Sequence, residues 1–211
     1  MKDLAIFGAG GFGREVACLI RNRLPEWKII GFFDDGKPKG EMISSFGPIL
    51  GGVEELNAWP TELSVIIAIG NPKTVRVVAD KITNEKICFP NIIHPNFEKL
   101  DPDTFSIGKG NIITADCRAS CNVSIGDFNV LNGSVILGHD VKIGSYNSFM
   151  PAVRISGEVK MGDCNFFGVA SIVLQQIKIG NEIKLSAGSV LMTKPKDGNL
   201  YLGVPAKKTE F

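Results

Sequence analysis

The chain has 211 residues, of which 44% are apolar and 21% charged, with a net charge of +1. That is a soluble globular composition with room for one large domain or two small ones, which excludes a disordered or fibrous chain. Balanced charge gives no electrostatic reason to expect nucleic acid as a partner. The longest apolar stretches, such as VIIAI at 65–69, are too short to cross a bilayer, and Asp3 with the glycines after it breaks any secretion-signal core. The cysteines (Cys18, Cys88, Cys117, Cys121, Cys164) form no CxxC, and with only two histidines no zinc set is available, so no metal is expected. Reduced thiols in the cytoplasm are the reading.

In chain order, DLAIFG at 3–8 predicts a buried strand, and G-A-G-G-F-G follows at once. Gly8, Gly10 and Gly13 fit G-x-G-x-x-G, and REVACLIRNRL then has a helical pattern. KIIGFFDD at 28–35 predicts a second strand ending in Asp34 and Asp35, about 20 residues past the glycines. This is the nucleotide fingerprint: helix N-terminal amides for phosphate, an acid for ribose hydroxyls. SVIIAIGN at 64–71 predicts a third strand whose tip carries Gly70 and Asn71, followed by a helix over 73–84 and a strand over 87–93. The unit spans about half of a full dinucleotide fold, which favours a nucleotide or nucleotide-sugar over a whole NAD. HPNFEKLDPDTF at 94–105 reads as a linker, with His94 a boundary residue satisfied by backbone groups.

From Ile107, every sixth residue to Leu191 is apolar, and the run stops at Asp101 and Asp197. Within it, Ile107, Ile125, Ile143, Met161 and Ile179 are each followed by glycine at a constant spacing of 18. Three hexads therefore form one coil, and the coils stack as a parallel β-helix. Val123, Val135, Val141, Val153, Val159, Ile177 and Ile183 supply a second inward row, and the glycines after the apolar positions relieve the backbone at the corners. Stacking places Cys121, His139, Gly157 and Gln175 in one column, so His139 has a notch beside it at Gly157. Asp140 stacks between Asn122 and Glu158, where adjacent carboxylates raise at least one pKa. The residues alone leave two readings of His139–Asp140: a catalytic pair, if Gly138 permits a bend at 138–140, or a solvated turn.

A short α/β unit feeding hexapeptide repeats resembles the sugar O-acyltransferases of the sialic-acid acetyltransferase type, whose characterised relatives include bacterial acetyltransferases acting on UDP-4-amino sugars. The resemblance rests on G-A-G-G-F-G-R-E, FFDDG, AIGN, GHDVKIG and the closing GVPAK at 203–207. It implies an α/β nucleotide(-sugar)-binding domain over 1–94 and a left-handed parallel β-helix with a C-terminal tail over 95–211. It also implies a homotrimer with active sites between adjacent helices, acetyl-CoA as co-substrate, and direct attack of the acceptor on the thioester. The catalytic histidine falls on His139 and its acid on Asp140. Acceptor contacts fall on Gly10, Gly11, Phe12, Asp34, Asp35, Gly70 and Asn71. Donor contacts fall on Gly157, Val169 and Ala187, expected on successive coils along one edge, and on Ser148, near the acetyl group. Relatives often carry a histidine at Ser148, and a histidine or other polar residue at Phe12.

The expected activity is acetyl transfer to a nucleotide-linked amino sugar, in surface-glycan biosynthesis. An ordinary imidazole, with a pKa of about 6.5, suits a general base for it at cytoplasmic pH. The alternatives are O-acetylation of sialic acid or a related sugar, a non-catalytic trimeric nucleotide-sugar-binding scaffold, and a nicotinamide oxidoreductase. Lys194, Lys196, Lys207 and Lys208 either attract the CoA phosphates or form a solvated face. Val130, Phe149 and Phe166 are expected to lie on outer faces that a trimer covers.

Overall fold

The computed structural model describes residues 1–209. Its first part is a five-stranded parallel sheet: β1 (Lys2–Phe7), β2 (Trp27–Phe33), β3 (Ile49–Gly51), β4 (Leu63–Ile67) and β5 (Ile87–Cys88), in the order β3-β2-β1-β4-β5. The central strand β1 is buried from Leu4 to Phe7, because parallel strands covered on both faces are apolar at every position. Helix α1 (Gly11–Arg23) starts inside the glycine run and buries Val16, Ala17 and Ile20 on one face. Two further helices, α2 (Val53–Asn57) and α3 (Pro72–Lys81), complete the unit.

The strand expected over 87–93 is two strands. Ile87–Cys88 pairs with β4, whereas Ile92–Ile93 pairs with Ile112–Ile113 in the second part of the molecule. Pro90 lies between them, and proline cannot donate to a ladder. The stretch 94–105 is likewise no linker: Glu98–Lys99 pairs with Arg118–Ala119 as part of a first coil. Partners in that coil lie 20 residues apart, against 18 from Ser106↔Ser124 onward. Two extra residues, taken up around the 3₁₀ turn Pro102–Thr104, put this coil out of phase with the six-residue step.

The coils form a left-handed parallel β-helix with three flat faces. One face runs through 112–113, 130–131, 148–149, 166–167 and 184–185 and carries the α/β unit. The second, through 118–119, 136–137, 154–155, 172–173 and 190–191, is called here the isoleucine face. The third, through 106–107, 124–125, 142–143, 160–161 and 178–179, is the lysine face.

Each corner turns through a left-handed residue. At every sixth position from Asp116 to Glu182, φ lies between +54° and +65°, although none of these residues is glycine. The glycines after the apolar positions have another task. A β-carbon at Gly126 or Gly144 would lie 2.6 Å from the carbonyl oxygen of the glycine one coil on. They permit close stacking and do not make the bend.

Apolar side chains from all three faces fill the prism, with Phe149 and Phe167 stacked at 4.9 Å between ring centroids. A polar column runs beside them. Asn111, Asn129, Asn147 and Asn165 are fully buried, and each Oδ1 accepts the backbone N–H 18 residues on at 2.8–2.9 Å. Each Nδ2 donates to a glycine carbonyl of the next coil at 3.0 Å, so the column is satisfied.

Val130 and Phe149 do not form an outer apolar face. Phe149 points into the prism, and Val130 packs with Ile92 and Ile112 against Leu4, Ile6 and Ile20 of the α/β unit. Phe166 is half-buried in a cleft shared with Asn71 and Lys184. Outward residues of the coils thus complete the core of the α/β unit, while the prism interior is a separate core.

Candidate functional site

The three glycines of the fingerprint do different work. Gly8 has φ +105°, which only glycine adopts readily, and it accepts the turn out of β1. Gly13 faces the Gly8 carbonyl so closely that any β-carbon there would overlap it, which brings α1 against β1. Gly10 and Gly11 have no atom within 4 Å of where a side chain would start, leaving the backbone open for a ligand. Asp34 holds this loop in shape: its Oδ2 accepts the Ala9 N–H at 2.8 Å and its Oδ1 the Gly36 N–H at 2.9 Å.

A pocket of about 390 Å³ sits over the loop, and Gly10, Gly11, Phe12, Asp34, Asp35 and Gly70 all line it. Asn71 does not. It caps α3, its Oδ1 accepting the Lys73 and Thr74 N–H groups, and it lines the neighbouring cleft with Phe166. Asp35 borders the pocket but its Oδ1 accepts the Val53 N–H at 2.7 Å, capping α2.

His139 and Asp140 occupy the corner between the isoleucine and lysine faces. Asp140 itself supplies the bend, at φ +58°. Gly138 is needed instead for close stacking, since a β-carbon there would lie 2.6 Å from the Gly157 nitrogen. The bend lets adjacent side chains meet: His139 Nδ1 lies 2.8 Å from Asp140 Oδ2. The other carboxylate oxygen accepts from Asn122 Nδ2 at 2.5 Å.

These two hydrogen bonds, His139 first and Asn122 second, hold the Asp140 carboxyl below its ordinary value. Stacking on Glu158, which accepts from Gln176 Nε2 at 3.1 Å, does not raise the Asp140 carboxyl. An ionised Asp140 can only accept, so Nδ1 carries the proton and Nε2 of the neutral ring offers a lone pair. That nitrogen lies over Gly157, where a β-carbon would sit 2.5 Å from it.

Gly157 thus belongs to the His139 corner, as the column Cys121–His139–Gly157–Gln175 requires. The coil hydrogen bonds confirm it: Asp140 N–H to Cys121 O, Glu158 N–H to His139 O, and Gln176 N–H to Gly157 O. Val169 and Ala187 lie elsewhere, on the corner between the isoleucine face and the face carrying the α/β unit. The single edge expected for these three residues is therefore two edges, one on each side of the isoleucine face. Ser148 is buried on the outer surface of the face under the α/β unit, away from His139 in the same chain. Lys194, Lys196 and Lys207 are exposed.

His94 is satisfied by backbone: its N–H donates to the Ile113 carbonyl at 2.8 Å and its Nδ1 accepts the Asn96 N–H at 3.2 Å. The buried Cys117 thiol is pushed up to about 11 by burial, so it is no nucleophile at neutral pH. Among the described residues, no three His, Cys, Asp or Glu side chains lie together as a metal set, and no helix is long and apolar enough to cross a membrane. The 18-residue spacing placed Asn122 one rung from Asp140; the hydrogen bond between them was not foreseen.

Comparison with known proteins places this geometry. Residues 3–82 match the PglD N-terminal domain family. No curated protein matches the chain in sequence. Among solved structures, the acetyltransferase domain of PglB from Neisseria gonorrhoeae in complex with acetyl coenzyme A is similar, with a TM-score of 0.88 and 26% identity over 99% of both chains. PerB from Caulobacter crescentus, in complex with CoA and GDP-perosamine, has a TM-score of 0.88 at 23% identity, covering 100% of this chain and 98% of its own. WeeI from Acinetobacter baumannii AYE has a TM-score of 0.89 at 24% identity, covering 99% of this chain and all of its own. The likeness extends over the α/β unit and the coils together.

Proposed function

We propose that this chain is an acetyl-CoA-dependent acetyltransferase acting on the amino group of a nucleotide-linked sugar. The observation that carries the proposal is the His139–Asp140 pair held over Gly157, in one chain with a nucleotide-type glycine loop. The structural likeness to proteins described with acetyl coenzyme A and with GDP-perosamine supports both substrates. On this reading the product is a precursor for surface-glycan assembly.

The acceptor nucleotide lies over Gly10 and Gly11, with Asp34 keeping the loop amides in place. The amine lone pair attacks the thioester carbonyl carbon, and a C–N bond forms as the carbonyl π pair moves to oxygen. The nitrogen's proton goes to His139 Nε2 while Nδ1–H stays on Asp140, whose charge favours the imidazolium. The intermediate collapses, the C–S bond breaks, and the CoA thiolate takes the proton back from Nε2. No covalent enzyme intermediate is required.

The two donor edges meet only in an assembly. Ile136, Ile172 and Val190 stand partly exposed on the isoleucine face, between the His139–Gly157 edge and the Val169–Ala187 edge, with Arg154 in register between the first two and its guanidinium donating to the Ser134 and Val153 carbonyls. Packing three copies about this face sets the His139 edge of one against the Val169 edge of the next. The lysine face would bury three like charges, none in an ion pair among the described residues, against Arg118 at the end of the isoleucine row and the hydrogen-bonded Arg154 within it. Light scattering tests this as a mass three times 22.7 kDa.

The activity is tested by thiol release from acetyl-CoA against a panel of UDP-, dTDP- and GDP-linked amino sugars. Turnover with at least one amine acceptor is expected. Tight CoA binding without turnover on any of them would instead mark a non-catalytic scaffold.

A further inference from the structure

The outward residues of the lysine face form a ladder. Lys142, Lys160 and Lys178 pair in direct register on three parallel strands, and all three are exposed. Strand spacing puts their backbones about 4.8 Å apart, and like charges facing one another across strands are destabilising. Among the described residues none of the three makes an ion pair. The acids beside them are engaged elsewhere: Asp140 with His139 and Asn122, Glu158 with Gln176.

The ladder forms one wall of a groove of about 580 Å³, whose other wall is Asn122, Asp140, Glu158 and Gln176, two carboxylates between two carboxamides. The groove therefore begins at the carboxylate that orients the His139 ring and runs along the prism axis for two more coils. Three ammonium groups against two carboxylates, both of them hydrogen-bonded on their own wall, leave the groove a net positive charge. A row of ammonium groups leading away from the reacting nitrogen is complementary to the phosphates of a ligand whose thioester, beyond its pantetheine arm, is at His139.

We infer that this ladder binds the coenzyme donor, the pantetheine arm passing Lys142 while Lys160 and Lys178, farthest from His139, hold the phosphates of its nucleotide end. This rests on the acetyltransferase reading above. It assigns the donor's charged end to the side of the prism facing away from the α/β unit's own pocket. It also explains why the fold keeps three repelling charges in register: the coenzyme turns that repulsion into attraction.

The test is calorimetric titration of the full-length wild type and a Lys160→Gln/Lys178→Gln variant with CoA, with pantetheine and with UDP. The ladder predicts that the variant binds CoA at least about tenfold more weakly, while pantetheine and UDP change less than twofold. It also predicts a wild-type CoA affinity that falls with added salt, and a shallower salt dependence in the variant. Both lysines are exposed, so the variant's melting temperature should equal or exceed that of the wild type, since a repulsion is removed. A wild type that binds CoA beside a variant with unchanged CoA affinity overturns the ladder and leaves the acetyltransferase reading standing. Weakened UDP binding with unchanged CoA binding also overturns it, giving the ladder to the acceptor. A wild type that binds no CoA overturns the ladder and the reading beneath it together.

Discussion

The imidazole of His139 rests on the bare α-carbon of Gly157, its Nε2 2.5 Å from where a β-carbon would stand. One residue thereby fixes the height of the general base above the coil, and the other keeps the space beside it free. Gly157→Ala tests this. The exposed ring can swing away, so the fold should survive with little change in melting temperature. The displaced nitrogen should lower kcat by about 10- to 100-fold, because small misplacements of a reacting group are costly. Unchanged kcat in this variant would mean that the ring's position over Gly157 has no part in the chemistry.

Asp140 is bound on both oxygens and its carboxyl is held below the ordinary range, so it stays ionised well into acid. A depressed carboxyl contributes stability above its unfolded pKa, about 3.9, and loses it as pH falls through the lower folded value. The pair is therefore intact across the whole working range. Asp140→Asn removes the anion that favours the imidazolium, so the acid limb of the rate profile should move to lower pH. Its kcat should fall by less than on removing the ring itself. A limb that stays in place would show that the carboxylate does not support the charge that develops on His139.

Asp34 joins the tip of β2 to the glycine loop through the Ala9 N–H. Asp34→Ala leaves the Ala9 amide of the glycine loop and the Gly36 amide of its own turn without their acceptor, and the acceptor KM should rise about tenfold or more. The acetyl-CoA KM should change less than twofold. Equal shifts in both constants would detach the α/β pocket from the acceptor.

Asn147 links three coils from inside the prism: its N–H and Nδ2 donate to Asn129 Oδ1 on the coil before, and its Oδ1 accepts from Asn165 on the coil after. Asn147→Ala strands several buried groups at once and should cost about 2–5 kcal/mol, read as a fall in melting temperature. A variant as stable as wild type would mean that water replaces the amide without loss.

The coils were legible in the sequence because inward-facing positions must be apolar and recur every six residues. The strongest evidence was the glycine after each of Ile107, Ile125, Ile143, Met161 and Ile179. What the period could not show was the first coil, which the extra residues around Pro102–Thr104 put out of step. Nor could an apolar count find the asparagine column, since its residues are polar and yet fully buried. Val130 obeyed the pattern for an outward residue but faces the α/β unit, a contact that no local period encodes. In the site, the His139–Gly157 column followed directly from the 18-residue spacing. The separation of Val169 and Ala187 from it did not, because the resemblance supplied residues without saying which edge each occupies. Asn71 carried the right position for a ligand contact, but its side chain is spent on capping α3.

The central claim is that His139 Nε2 is the base, and His139→Ala tests it most directly once an acceptor is identified. The side chain is exposed at a corner and fills no core space, so the variant should keep the wild-type mass in light scattering. With assembly intact, kcat should fall by about 10²–10⁴, while KM for both substrates changes far less. A correctly assembled His139→Ala protein that retains more than about half of the wild-type kcat would contradict the account and reduce the His139–Asp140 pair to a surface turn.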